Sequence, residues 1–212
     1  MLEKDQIQNV IEILDREFPD PQPPLNFTNN FELLIAVMLS AQCTDERVNK
    51  TTPHLFPKYN TPEKMLTLEL EALKKIVFSC GYHNQKAKNI LACSQQLIER
   101  HNSQVPNTME NLSALSGVGT KTAGVVLAQA FNIPSFPVDT HVFRLANRIG
   151  LVNEKTRDKT HTSLEKRVPK QHWIPLHLQL IFHGRKTCKS QKPRCNECPL
   201  KTACEWEKKR KQ

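Results

Sequence analysis

Residues Phe31 to Leu39 read FELLIAVML, apolar almost all the way round a helix. A helix without a polar face has to lie inside a protein, covered on every side. Asn29 and Glu32 stand at capping-box spacing in front of it. The segments available to cover it are helical too. Ile7, Val10, Ile11, Leu14 and Phe18 form one face of a first amphipathic helix, which Pro19, Pro21, Pro23 and Pro24 end. Thr61-Pro62-Glu63 is a helix start with proline in the first turn. Apolar residues recur at helical spacing in Leu70–Val77, Ala87–Ile98 and Val142–Ile149, the last stopped by Gly150. Trp173, Leu176, Leu180 and Phe182 mark a final long helix, which Gly184 is expected to end. Strand alternation and Asn-Gly hairpin turns do not occur. The expected fold is all-α, with roughly ten helices.

Leu115-Ser116-Gly117-Val118-Gly119-Thr120-Lys121 joins a short segment capped by Thr108 to a helix carrying Ala123, Val126, Leu127 and Ala130. This is a helix–hairpin–helix pattern, with Thr120 as expected N-cap and Lys121 in the first turn. Two glycines allow a backbone whose N–H groups point outward together, and a helix N-terminus beside them favours an anion. A phosphate could therefore sit next to an amine, held by Gly117, Val118, Gly119 and Thr120. A Walker loop is excluded, because Thr120 rather than glycine precedes the lysine. A dinucleotide fingerprint is excluded, because Thr122 stands where a third glycine is needed and no strand precedes.

Lys and Arg number 30 against 21 Asp and Glu, a formal charge of +9, which points to a polyanionic partner. Most of the excess lies after Gly184, where ten Lys or Arg face three Glu. No stretch is long and apolar enough to span a bilayer, and Glu3-Lys4-Asp5-Gln6 is unlike a signal peptide. An intracellular location is expected, so disulfides are not. Cys43, Cys80 and Cys93 read as reduced core residues. Cys188, Cys195, Cys198 and Cys204 are crowded together in a C-x6-C-x2-C-x5-C array. Thiolates so close bind a soft or borderline metal. Zinc modules bring ligands in two close pairs, and only Cys195 and Cys198 make one. The spacing suits a four-cysteine cubane iron–sulfur cluster better. Between the first two cysteines, Lys189, Lys192 and Arg194 would be presented to phosphates by a loop that a cluster holds rigid.

At this point the chain resembles a known family. Leu25-Asn26-Phe27, Phe31 to Val37, Leu39 to Gln42, Gly117 to Ala123, Val138 to Arg144, His183-Gly184-Arg185 and the four cysteines are together similar to endonuclease III, of the helix–hairpin–helix DNA glycosylase superfamily. The resemblance implies two helical domains flanking a DNA cleft. One is a barrel over about residues 21–132. The other joins residues 1–20 to 133–212 and holds one [4Fe-4S] cluster on Cys188, Cys195, Cys198 and Cys204. It also implies excision of oxidised pyrimidines from duplex DNA followed by strand cleavage, by a monomer associated with the nucleoid in the cytoplasm. Two departures stand out. Gly81-Tyr82-His83 replaces a leucine-containing segment that helps fill the gap left by a flipped nucleotide, and Ser116 replaces a usual proline, which is expected to loosen the hairpin.

The expected chemistry follows. Lys121 attacks the anomeric carbon of a flipped nucleotide, because only nitrogen forms the Schiff base that lets the strand be cleaved. The amine must be neutral to attack, and its place at a helix N-terminus disfavours the ammonium through the dipole. Asp139, at another helix start, should stay ionised and stabilise the cationic sugar; read alone it is a plain N-cap. Gln42 is the candidate to fill the vacated stack, with Tyr82 or His83 assisting, although Gln42 alone would read as a helix C-cap. His141 reads as an orienting residue. Two alternatives remain. An adenine-specific mismatch glycosylase should lack the lysine and carry a further C-terminal domain. A non-catalytic, metal-stapled DNA-binding module would bind duplex DNA without forming an adduct.

Overall fold

The computed structural model describes residues 1–210, and within them the chain is all-α: twelve α-helices and four short 3-10 turns, with no strand. In order these are α1 (Lys4–Glu17), α2 (Asn30–Ser40), α3 (Asp45–Thr51), α4 (Pro62–Leu66), α5 (Leu70–Val77) and α6 (His83–His101). They continue as α7 (Met109–Ser113), α8 (Thr120–Phe131), α9 (Thr140–Ile149), α10 (Arg157–Arg167), α11 (Trp173–Lys186) and α12 (Glu205–Arg210). Lys211 and Gln212, the end of the basic stretch, lie outside the described residues. No described helix is long and apolar enough to cross a membrane. The chain divides into two compact units, one of Pro23–Ile133 and one of Met1–Gln22 with Pro134–Gln212.

The Pro23–Ile133 unit is built round α2, whose residues Phe31 to Leu39 are all buried. Helices α3, α6 and α8 pack against it, and α4 and α5 pack on α6. Even Glu32 is buried, with 3% of its surface exposed. Asn29 caps α2 as expected, accepting from the Glu32 N–H at 2.9 Å. The return bond of a capping box is displaced by one residue. The Glu32 carboxylate accepts from the Thr28 N–H at 2.6 Å and the Thr28 hydroxyl at 2.8 Å. Those bonds are what allow a carboxylate to be buried there.

The other unit packs α1 against α11, and α9 against α10, α11 and α12. Its core joins Val10, Ile11 and Leu14 to Val142, Leu145, Ile149, Leu176 and Leu180. The Leu2 N–H donates to Gly150 O at 2.8 Å, and Gln179 Nε2 donates to Asp15 Oδ1 at 2.8 Å. The N-terminal segment is thereby tied into a core formed mainly by residues far along the chain.

One helix expectation is corrected, and one helix was not anticipated. Gly184 does not end α11, which runs on to Lys186. Its role is close approach: a Cβ there would stand 2.9 Å from His141 Nδ1 and 3.0 Å from Arg144 Nη2. Helix α10 went unread, because only Thr160 and Leu164 along it are buried and no apolar stripe marks it.

Candidate functional site

The hairpin is anchored from below and open above. Leu112, Leu115 and Val118 are buried, whereas Gly117, Gly119, Thr120 and Lys121 are exposed. Gly117 has φ +78°, and a Cβ on it would stand 2.8 Å from Asn89, so only glycine fits. Thr120 is not the N-cap. Gly119 is, with extended backbone, and the Ala123 N–H bonds to Gly119 O at 2.9 Å. Glycine brings no side-chain acceptor, so the first-turn N–H groups of α8 are left without a cap. Lys121 is the second residue of that helix. Ser116 does not loosen the turn. Its N–H donates to Gln96 Oε1 at 2.7 Å, a bond proline could not make.

In the same unit, Gln42, Tyr82 and Gly117 come together round one depression that Met38, Gln85 and Lys86 also line. Gln42 and Tyr82 both have left-handed backbone, φ +53° and +50°, and both are exposed. A non-glycine residue pays to hold that conformation, and such strain gathers where a side chain must be aimed. The earlier alternative for Gln42 is removed, since Ala41 is the C-cap of α2. His83 parts from Tyr82. It starts α6, and its ring packs on Phe78 at 4.7 Å between centroids rather than lining the depression.

Sequence reasoning missed Lys86. It is buried, and its Nζ donates to Leu39 O and Cys80 O, both at 2.8 Å. Burial pushes its pKa down, opposed by the neighbouring Cys43 and Cys80 thiols. A lysine at the helical spacing of Ala87 and Ile90 gave no sign that its charge pointed inward.

Asp139 is the N-cap of α9, its Oδ1 accepting from the Val142 N–H at 2.7 Å. The sequence Val138-Asp139-Thr140 folds so because a short acid before an amphipathic helix satisfies a first-turn donor. His141 lies 3.2 Å from Arg144 Nη2, consistent with a structural role.

The four cysteines gather in the other unit. Cys188, Cys195, Cys198 and Cys204 line one cavity together with Arg148, His183 and Trp206. Burial first, then the neighbouring thiols, pushes the Cys198 thiol up to about 11. Among the described residues no three His, Cys, Asp or Glu side chains are set to hold a single metal ion. A single ion needs its sulfurs within about 2.3 Å of one point, whereas a cubane spreads the same four ligands over a larger core. Donors already face the sulfurs. Arg148 Nη1 lies 3.6 Å from Cys188 Sγ, and His183 Nε2 lies 3.4 Å from Cys198 Sγ. Burial brings His183 down to about 4, so its ring is neutral at ordinary pH. Its Nδ1 is buried without a partner. A thiolate at Cys198 fits this, because the single ring proton then belongs on Nε2 and the orphaned nitrogen carries none.

Two arginines that the sequence did not single out hold the basic loop. Arg148 donates to Lys189 O at 2.7 Å and Ser190 O at 2.9 Å, with its guanidinium over the Trp206 ring. Arg144 Nη2 donates to Cys188 O at 3.0 Å and Gly184 O at 3.1 Å. They sit one turn apart on α9, a spacing visible in the sequence. The side chains of Lys189, Lys192 and Arg194 are exposed round that fixed backbone.

Comparison with known proteins supplies the family. Residues 35–170 match the HhH-GPD superfamily of base excision DNA repair proteins. Endonuclease III of Haemophilus influenzae is 47% identical over 202 residues, which cover 94% of this chain and 96% of that protein. A non-covalent endonuclease III–DNA complex superimposes with TM-score 0.94 at 43% identity, covering 100% of this chain and 99% of that one. A trapped endonuclease III–DNA covalent intermediate gives the same score and identity, covering 100% of both chains. With the glycine hairpin, the uncapped helix and the cysteine array all within a match of that extent, the chain belongs to the endonuclease III family of base excision DNA repair proteins.

Proposed function

We propose that the chain excises oxidised pyrimidines from duplex DNA and then cleaves the strand, with Lys121 as the nucleophile. The observation that carries this is an exposed amine in the first turn of a helix whose N-terminus has no side-chain cap, directly after a glycine hairpin. The hairpin N–H groups receive backbone phosphate, and Lys121 stands next to that contact. The amine forms a bond to C1′ of the extruded nucleotide, and the glycosidic pair leaves with the base. The nitrogen gives up one proton, its lone pair then expels the ring oxygen O4′, which takes a proton, and the opened sugar is held as an iminium. The iminium acidifies the C2′ hydrogen, and its removal expels the 3′ phosphate by β-elimination. Because Lys121 is exposed, water is removed from this amine only when substrate covers it. Asp139 opposes the developing positive charge on the sugar with the carboxylate oxygen that does not cap α9, and takes part in the proton transfers.

Gln42 and Tyr82 occupy the space of the extruded nucleotide, a role supported by their strained backbones round one depression. Lys189, Lys192 and Arg194 contact phosphates without reading sequence. Cys188, Cys195, Cys198 and Cys204 would hold one [4Fe-4S] cluster, which would supply a cross-link to their loops and take no part in the steps above. The protein works as a monomer on nucleoid DNA in the cytoplasm.

Borohydride trapping on a duplex with one oxidised pyrimidine tests the assignment. A covalent protein–DNA band is expected from the intact protein, and Lys121→Ala should lower it by on the order of 10³-fold or more. An undiminished band in that variant would place the nucleophile elsewhere. No band from either protein, with tight duplex binding, would leave a binding module.

A further inference from the structure

One lysine holds two turns of the Pro23–Ile133 unit together from beneath. Leu39 O and Cys80 O both accept from Lys86 Nζ at 2.8 Å, so the two carbonyls lie within twice that distance of each other. Gln42 and Cys43 follow the first, and Gly81 and Tyr82 follow the second. The same convergence brings the two thiols near enough to act on one another, while the Cys43 Sγ itself donates to Thr44 O at 3.7 Å. Both are free, and the charge of Lys86 acts on both. Their access to solvent differs. Cys80 is 1% exposed, while Cys43 is half-buried on the turn itself. Cys80 Sγ also donates to Thr51 Oγ1 at 3.5 Å, which fixes its direction. The third cysteine of this unit, Cys93, is fully buried without a thiol partner in any of these contacts, and burial alone pushes it up to about 12.

We propose that Cys43 and Cys80 are a reversible thiol pair, which oxidation closes into a disulfide that ties the Gln42 turn to the Tyr82 turn. The oxidant is a low-molecular-weight disulfide. The Cys43 thiolate, reachable from solvent, attacks one of its sulfurs. The small disulfide's S–S bond breaks, and one small thiol leaves with a proton. The Cys80 thiolate then attacks the Cys43 sulfur, the mixed disulfide breaks, and the second small thiol leaves. The protein gives up two electrons and two protons, and the small disulfide takes them. The charge of Lys86 favours the Cys43 thiolate that the first step needs. Burial opposes this at Cys43, so the pair responds to a sustained change of redox poise rather than to a brief pulse.

The effect of the closed pair on catalysis rests on the extrusion roles given above to Gln42 and Tyr82; the formation of the bond does not. Two turns joined covalently cannot separate to let a base pass between DNA stack and protein, so excision should slow.

The test uses the full chain with its cluster absorbance monitored, equilibrated with oxidised glutathione and digested without reduction for peptide mass spectrometry. A Cys43–Cys80 linked peptide is expected, lost on adding dithiothreitol and absent in Cys43→Ser. Cys80→Ser should instead accumulate glutathione on Cys43, the intermediate left unresolved. Excision from an intact duplex should fall about fivefold or more on oxidation and recover on reduction, with Cys43→Ser unaffected by either. Glutathione retained on Cys43 of the intact protein, with Cys80 still a free thiol, overturns the pair. Linkage without any change in excision overturns its action on extrusion. Full excision by Gln42→Ala overturns the extrusion role of Gln42 and leaves the linkage standing.

Discussion

The two units handle their backbone polar groups in opposite ways. At the hairpin of Pro23–Ile133, donors are withheld from the protein. Gly119 caps α8 with no side chain, and the first-turn N–H groups face outward. At the cysteine loops of the other unit, acceptors are consumed. Gly184 O, Cys188 O, Lys189 O and Ser190 O are all taken by Arg144 and Arg148. The first arrangement leaves positive potential for an anion. The second removes negative potential from a loop that displays Lys189, Lys192 and Arg194. Both therefore present a surface suited to phosphate, one by leaving donors open and the other by covering acceptors. The methods also differ in tolerance. A bare helix end depends on the missing side chain of Gly119 and the left-handed turn of Gly117 before it, whereas the loop depends on two planar guanidinium forks.

The largest stability effect should come from breaking those forks. Arg148→Ala loses two charge-assisted hydrogen bonds and the packing on Trp206, and should cost about 3 kcal/mol in denaturant unfolding. Arg148→Lys should recover little, because an ammonium cannot reach Lys189 O, Ser190 O and the Trp206 face in one plane. Full recovery by lysine would show that charge alone holds the loop. On the proposed cluster assignment, faster loss of its absorbance in Arg148→Ala is expected alongside the lower stability.

Lys86 supplies the corresponding clamp in the hairpin unit, with a point charge rather than a fork. Lys86→Met keeps the volume and removes both bonds, leaving Leu39 O and Cys80 O unsatisfied, at a cost of about 2 kcal/mol. A stability unchanged by methionine would mean that the cost of burying the ammonium equals the value of its bonds. Gly117→Ala should cost about 1–2 kcal/mol, from φ +78° and the approach of a Cβ to Asn89. Duplex binding should weaken in that variant, while Lys86→Met should affect base excision more than binding. A Gly117→Ala protein that binds as well as the parent would remove the hairpin backbone from the interface.

What the sequence made legible follows from how local each feature is. Helix α2 could be read because nine buried residues lie in a row. The cysteine array could be read because ligand spacing along the chain survives folding. Asp139 as a cap needs only the three residues after it. The features that were not legible depend on distant partners. Lys86 looks like a surface lysine until Leu39 and Cys80 close over it. Gly184 looks like a stop until α9 comes close enough to require a missing Cβ. Ser116 looks like a weakened turn until Gln96, twenty residues earlier, accepts its N–H. His83 looks equivalent to Tyr82 until Phe78 takes its ring. Helix α10 carries no stripe because it lends little apolar surface to the core, so periodicity had nothing to detect.

The smallest predicted effect bears most directly on the contrast between the units. Thr108 and Thr120 each precede a helical stretch in sequence, and both read as caps. In the structure only Thr108 is one, its hydroxyl accepting from the Asn111 N–H. Thr120 is exposed and already inside α8, and the first helical bond runs from the Ala123 N–H to Gly119 O. Thr108→Ala should therefore cost about 1 kcal/mol, and Thr120→Ala less than about 0.5 kcal/mol. Paired denaturant titrations measure the difference. Equal costs would mean that the Thr120 hydroxyl satisfies a first-turn donor after all. The helix end beside Lys121 would then be closed, and the anion site would have to be sought in the Gly117 turn alone.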